Sequence, residues 1–246
     1  MVGARVAVEN GSSAKSLKGG SRNLTFGMLE QLGRAIVTGR YDNERFPTED
    51  ELTARYAVSR TVTREAVKML TAKGLLRAKP RAGTTVQPPS AWSFFDPDVL
   101  RWLLERKFSL DLLRHFNELR SAIEPQAAAL AAKAGPGAAY HAIEAGLRRM
   151  EAAEHGDDDT LEADIAFHIA VLEASANPFF LQFRDMVATA LQTSIRFTNR
   201  FKGRGADVAA HRAVFTAIQA GDARGARAAM AAIIGEVMEF IDSAEE

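Results

Sequence analysis

Asp164 and His168 lie four residues apart, so on a helix they share one face, and His211 can join them if the intervening helices fold into a bundle. One carboxylate with two imidazoles suits a divalent metal, Zn²⁺ or a first-row neighbour such as Ni²⁺ or Mn²⁺. Two other readings stand beside that one. The three side chains could hydrogen-bond a polar ligand directly, or Asp164 and His168 could be an intrahelical pair that satisfies itself. Arg120 is ambiguous in the same way. It precedes Glu124 by four residues, the spacing of an ordinary surface salt bridge, yet a guanidinium fork also suits bidentate recognition of a ligand carboxylate. A catalytic metal at Asp164, His168 and His211, with Arg120 orienting a carboxylate substrate, would make the chain a metal-dependent enzyme. Against that alternative there is no strong nucleophile motif, no Gly-rich phosphate loop and no His-Glu-x-x-His pair. His115, His141 and His155 fall in no pattern and are expected at the surface.

A second constellation is cationic. Over residues 59–73, Val62, Ala66, Met69 and Leu70 gather on one side of a helical wheel, and Arg60, Arg64 and Lys68 fall on the other. Val67 lands near the polar side, off the pattern. Ser59 is a natural N-cap for this helix. A shorter helix precedes it, from a capping box at Thr48-Glu49-Asp50-Glu51 to about Tyr56, with a tight turn at Ala57-Val58 between the two. A short helix, a turn and an amphipathic helix with a cationic face are what reading a DNA major groove requires. Thr48, Ser59, Thr61 and Thr63 place short hydroxyls near helix starts, where phosphates and base edges come close. After Gly74, two β-prone pieces at 75–78 and 84–86 flank Lys79-Pro80-Arg81-Ala82-Gly83. That spacing predicts a two-stranded hairpin whose basic tip, Lys79, Arg81 and Gly83, reaches a DNA backbone or minor groove.

The elements that must carry these residues follow from periodicity and punctuation. Leu24, Met28, Leu32, Ile36 and Val37 predict a helix over 24–39. Gln87-Pro88-Pro89-Ser90 reads as a linker, because consecutive prolines continue neither helix nor strand. Beyond it the pattern predicts helices near 97–106, 109–134, 137–155, 157–175, 178–202, 206–220 and 222–243, with no strand and no internal repeat. The expected fold is mainly α: an N-terminal winged helix-turn-helix with a small β-hairpin, then an all-α bundle. The expected division is a disordered tail at 1–22, a DNA-binding domain at 23–87, a linker at 88–97 and a ligand-binding and dimerisation domain at 98–246.

Composition narrows the class. A length of 246 residues favours two units, and 47% hydrophobic residues are enough to build a packed core in each. With no cysteine, disulfides, thiolate metal sites and cysteine nucleophiles are excluded. No apolar run approaches the roughly 18 residues of a membrane span, and the Gly- and Ser-rich start lacks an apolar signal core. Cytoplasmic residence without membrane contact is the expectation. The formal net charge of zero conceals an asymmetry. Residues 1–90 carry 15 Lys/Arg against 8 Asp/Glu, and residues 91–246 carry 16 against 23. A basic unit joined to an acidic one fits a protein whose first part faces a polyanion.

Phe46-Pro47-Thr48-Glu49-Asp50-Glu51-Leu52, Val58-Ser59-Arg60-Thr61-Val62-Thr63-Arg64-Glu65-Ala66-Val67 and Leu70-Thr71-Ala72-Lys73-Gly74-Leu75-Leu76 together resemble the winged helix of the GntR superfamily. The resemblance implies operator contacts from Arg60, Thr61 and Arg64. Asp50 stands where some members carry Arg, so that contact is not implied. Glu118-Leu119-Arg120-Ser121-Ala122-Ile123-Glu124-Pro125, Asp164-Ile165-Ala166-Phe167-His168, Ala176-Asn177-Pro178 and His211-Arg212-Ala213-Val214-Phe215 resemble the FadR-type (FCD) ligand domain of the same superfamily. There the matching Arg meets an effector carboxylate, and metal-binding members commonly add a third His, which residues 178–202 do not supply. Thr189, Gln192, Thr193, Ser194, Arg196 and Asn199 are the polar residues offered instead. Asn177, Gln192 and Arg196 are expected to meet the effector alongside Arg120. Residues 90–102, from Ser90 through Trp92 and Phe95 to Trp102, are similar to the interdomain segment of galactonate-responsive sugar-acid regulators. The resemblance therefore implies a homodimer on a palindromic operator, usually a repressor, controlled by a small carboxylate such as galactonate or gluconate, with lactate as the runner-up.

Overall fold

A computed structural model describes residues 21–79, 83–107, 109–201 and 207–245, apart from the side chains of residues 21, 79, 138, 195–201 and 245. The chain divides into two compact units, one ending at Ser93 and one starting at Phe94. Each is described by itself.

The first unit is a winged helix. Helix α1, Ser21–Val37, buries Met28, Leu32, Ile36 and Val37, and packs chiefly on α3. Helix α2, Glu49–Tyr56, starts on the expected capping box: Thr48 N–H donates to Glu51 Oε2 at 2.7 Å, and Glu51 N–H donates to Thr48 Oγ1 at 3.3 Å. It stops because Ala57 turns left-handed at φ 51° and returns its N–H to the last turn. Ser59 then caps α3, Arg60–Ala72, accepting from Val62 N–H at 3.3 Å. The buried residues of α3 are Val62, Thr63, Ala66, Val67 and Leu70, a stripe wider than the wheel suggested. Val67 is thus a core residue. Strands β1, Leu76–Lys79, and β2, Gly83–Val86, pair antiparallel with Leu76 opposite Val86 and Lys79 opposite Gly83. The Pro-rich stretch read as linker folds back onto this unit in part. Trp92 is buried and donates from Nε1 to Gln87 O at 2.9 Å, while Ser93 N–H donates to Lys73 O at 3.0 Å. Gly74, at φ +75°, permits that return, since a Cβ there would collide with the Ala91 carbonyl.

The second unit is all-α among its described residues: α4 Pro97–Leu103, α5 Leu110–Ala134, α6 Ala138–Glu154, α7 Thr160–Ala174, α8 Pro178–Leu181, α9 Arg184–Phe201, α10 Val208–Gln219 and α11 Ala223–Glu245. Short polar side chains start most of them. Asp96, Ser109, Asp159, Asn177 and Asp207 each accept a backbone N–H of the first turn. The expected helix over 178–202 is two helices, because the Asn177-Pro178 start supports only one turn before the chain bends at Gln182 and Phe183. Helix α7 is central, packed by α5, α6 and α9, and buries Ala163, Ile165, Phe167, Ala170, Val171 and Leu172 on all sides. It approaches α6 closely at Gly146, where an added Cβ would lie 2.9 Å from Phe167 Cα. No helix among the described residues is long and apolar enough to cross a membrane.

Candidate functional site

On the first unit, α3 exposes Arg60, Thr61, Arg64, Glu65 and Lys68 along one face. The cations are paired at short range. Arg60 Nη2 lies 3.2 Å from Asp50 Oδ1, Arg64 Nε donates to Glu49 Oε2 at 3.2 Å, and Lys68 Nζ donates to Glu65 Oε1 at 2.8 Å. Exposed pairs of this kind are worth about 0–1 kcal/mol, so a phosphate or base edge can displace the carboxylate. Thr48 and Ser59 are N-caps whose hydroxyls accept backbone N–H groups. Thr63 corrects the sequence expectation. It is fully buried, its hydroxyl 2.9 Å from that of Thr53, and so it ties α3 to α2 and offers nothing to a base edge. Gly83 opens β2 at φ +85° in open space. Lys79 lies in β1 with its side chain outside the described residues, and Arg81 lies outside them altogether.

The second unit holds a buried polar cluster. Helix α5 contributes Asn117, Arg120 and Glu124, whose spacings of three and four put them on one face. Helix α7 contributes Asp164 and His168, and α10 contributes His211. All six are at most 5% exposed, so no bulk water solvates their charges. Asp164 Oδ1 is 3.1 Å from His211 Nε2 and 3.5 Å from His168 Nε2, and the two Nε2 atoms are 3.2 Å apart. The rings meet edge to face at 89°, and Phe167 closes one side with its centroid 5.0 Å from that of His211. Arg120 Nε donates to Glu124 Oε1 at 2.5 Å, and Arg120 Nη1 donates to Asn117 Oδ1 at 3.3 Å. Arg120 Nη2 stands 3.5 Å from His168 Nε2, and Glu124 Oε2 accepts from His168 Nδ1.

These contacts assign the ring protons. His211 Nδ1 faces the Asp207 carbonyl at 2.6 Å, and His168 Nδ1 faces a carboxylate, so each Nδ1 carries hydrogen. In neutral rings both Nε2 lone pairs then converge with Asp164 Oδ1, a buried oxygen with no partner in hydrogen-bond geometry. Three acceptors facing one another need a cation or a proton. Metal–ligand bonds of about 2.0–2.2 Å place neighbouring ligands about 3.0–3.5 Å apart, and the three edges of this triangle match. The donor set fits a divalent metal. Without one, the electrostatics hold a proton instead. Burial alone would push His168 down, but Glu124 and Asp164 outweigh it and raise its pKa to about 9. Burial would likewise push Glu124 up, but Arg120 and His168 hold it down to about 2. Asp164 is also held below the usual carboxylate range, its histidine partners outweighing its burial.

Tertiary structure thus brings together Asp164, His168, His211 and Arg120. The Arg120–Glu124 pair, whose spacing allowed a surface salt bridge, is instead sealed in the core. Sequence reasoning did not single out Glu124 or Asn117 as functional. Their signal was three polar residues on the otherwise apolar face that carries Leu113, Ile123, Ala127 and Ala131. Asn177 caps α8, accepting from Phe179 N–H at 3.0 Å. Gln192 is half-buried on α9, and the side chain of Arg196 lies outside the described residues. From α9, Ser194 reaches Asn117, which donates to it from Nδ2 at 3.4 Å. His115, His141 and His155 are exposed.

Known proteins share both units. Residues 28–86 match the model for gntR family bacterial regulatory proteins, and residues 116–236 match that for the FCD domain. The chain is 35% identical over 208 residues to the galactonate operon transcriptional repressor of Escherichia coli (strain K12), spanning 82% of this chain and 90% of that one. It is also 35% identical over 175 residues to the HTH-type transcriptional regulator YieP of the same organism, spanning 70% and 76%. Among solved structures it resembles Lar, which controls the expression of the Listeria monocytogenes agr system, at a TM-score of 0.53 and 16% identity over 93% of this chain and 99% of that one. Escherichia coli McbR/YncC is similar at a TM-score of 0.51 and 17% identity, over 91% and 99%. At such identities these two structures speak to the fold alone.

Proposed function

The chain belongs to the gntR family of bacterial regulatory proteins, with an FCD domain following its winged helix, and from that premise we propose that it is a homodimeric repressor whose hold on a palindromic operator is set by a small carboxylate. The favoured effector is a sugar acid such as galactonate or gluconate. Support comes from the 35% identity to a galactonate operon repressor over most of both chains. On the DNA side, Arg60, Thr61, Arg64 and Lys68 lie on the exposed face of α3, with arginines suited to guanine edges and phosphates. Two-fold symmetry in the protein would match two-fold symmetry in the operator.

The observation that carries the sensing half is the charge balance around Arg120. Arg120 is positive, Glu124 and Asp164 are negative, and all three are buried. Without metal the proton that Glu124 and Asp164 hold on His168 balances the cluster. A divalent cation on Asp164, His168 and His211 would displace that proton and leave the cluster at +1, which a monocarboxylate then neutralises. When bound, Zn²⁺, Ni²⁺ or Mn²⁺ supplies a positive point for carboxylate and hydroxyl oxygens. Arg120 supplies the planar fork that orients the acid, and Asn117 and Ser194 offer polar groups beside it. Buried sugar hydroxyls need such partners, because unpaired ones are costly. The acid releases DNA only if it favours the arrangement that cannot bind.

Gel-shift titration on promoter DNA beside the protein's own gene, with galactonate, gluconate and lactate added in turn, tests this reading. A specific shift reversed by one acid supports regulator and effector class together. A shift that no acid alters removes the acid from the proposal.

A further inference from the structure

We infer that Glu124 is a positioning residue that holds His168 in the tautomer a cation needs and ties that cation site to Arg120. The inference rests on the metal-binding reading of Asp164, His168 and His211 above. The carboxylate of Glu124 has two different partners: Oε1 accepts from Arg120 Nε at 2.5 Å, and Oε2 accepts from His168 Nδ1. At 0% exposure it is out of contact with bulk solvent.

On the His168 side the consequence is a proton assignment. An ionised carboxylate only accepts, so the imidazole hydrogen stays on Nδ1 and the Nε2 lone pair faces Asp164 and His211. On the Arg120 side the same carboxylate occupies the Nε edge, and Nη2 is left 3.5 Å from His168 Nε2. One negative charge therefore serves both a guanidinium and a metal-binding ring. An anion that draws the guanidinium toward itself leaves more of that charge to His168 and makes its ring a stronger ligand. A cation on Nε2 strengthens the Nδ1–H bond to Glu124 and loosens its hold on Arg120. By linkage the two effects are equal in size.

Glu124→Gln separates this role from simple packing. Glutamine keeps the shape but offers one acceptor and one donor group where two acceptors are needed. Arginine can only donate, so the amide oxygen turns to Arg120 and the amide nitrogen to His168. The ring then shifts its hydrogen to Nε2, into the metal triangle.

The experiment is calorimetric titration of Zn²⁺ into full-length, chelator-stripped protein, with ¹⁵N imidazole resonances read in parallel. Glu124→Gln is expected to weaken Zn²⁺ about 10–100-fold and, with the resonances read in metal-free protein at a pH alkaline enough to leave the ring neutral, to move the His168 hydrogen from Nδ1 to Nε2. Arg120→Gln is expected to tighten Zn²⁺, and the double variant to remain as weak as Glu124→Gln. Wild-type affinity in the double variant would mean that Glu124 only offsets the charge of Arg120, and would overturn the inference. So would an unchanged His168 tautomer in Glu124→Gln. If Glu124→Gln does not fold, Glu124→Asp, which keeps the charge but draws it back, must still lose affinity. If wild-type protein binds no divalent cation, the metal reading itself fails. If it binds and Glu124→Gln matches it, only the role of Glu124 falls.

Discussion

His168 and His211 bring their Nε2 atoms to 3.2 Å with their rings nearly perpendicular, and both Nδ1 atoms are engaged on the far side, by Glu124 and by the Asp207 carbonyl. The space between them and Asp164 suits one proton or one metal ion, and the two exclude each other. Metal uptake should therefore release a proton.

Protein stripped of divalent metal should lose stability as pH rises from about 6.5 to 9. A pKa raised to about 9 in the folded state means that the stabilisation is fully present below the unfolded value and is lost as the ring deprotonates. The span corresponds to about 3 kcal/mol at most. Thermal melts across that range check it, and adding Zn²⁺ should reverse the trend, because the metal needs the deprotonated ring. A melting temperature flat from pH 6 to 9 without metal would contradict the proton assignment.

Replacing Arg60 or Arg64 by Ala should each weaken specific DNA binding by about 1–3 kcal/mol. Lys68→Ala should weaken specific and random DNA alike, as loss of a phosphate contact does. Fluorescence anisotropy on operator and scrambled duplexes separates the two patterns. Equal affinities for wild type and both arginine variants would remove the assigned reading face.

Thr63→Val should cost stability, about 0.5–1.5 kcal/mol for the lost hydroxyl contact with Thr53, and leave operator affinity of the folded protein unchanged. Urea denaturation beside a DNA titration tests both halves. Loss of affinity without loss of stability would return Thr63 to the DNA face.

Arg120→Lys keeps the charge but loses the fork. Operator binding should persist while the response to acid falls at least tenfold in a gel-shift titration. A response equal to wild type would show that the guanidinium does not hold the effector.

Gly146→Ala should destabilise the helical unit by about 1–3 kcal/mol, because its Cβ would press on the Phe167 backbone beside His168. Calorimetric melting measures the loss, and an unchanged melt would mean that α6 can move away at no cost.

Much of the architecture was legible in order. Thr48 with Glu51, Ser59, Ser109 and Asp207 mark helix starts by their own chemistry, because a short polar side chain beside an unpaired N–H acts locally. Thr63 was placed on the DNA face, and Val67 fell off the pattern, because a wheel assumes one buried side, whereas α3 packs on both α1 and α2. The break at Gln182–Phe183 was missed because no Gly or Pro announces it.

By itself the sequence determined the identity of the parts: a cationic helix after a tight turn, a basic hairpin, and an Asp-x-x-x-His pair on a helix apolar all round. Those follow from spacing along the chain, which local geometry converts directly into faces. Only tertiary structure decided that Arg120 and Glu124 are core rather than surface, and that Glu124 reaches His168, 44 residues away. The same i, i+4 spacing serves either environment, and only packing of α7 and α10 against α5 takes that pair out of water.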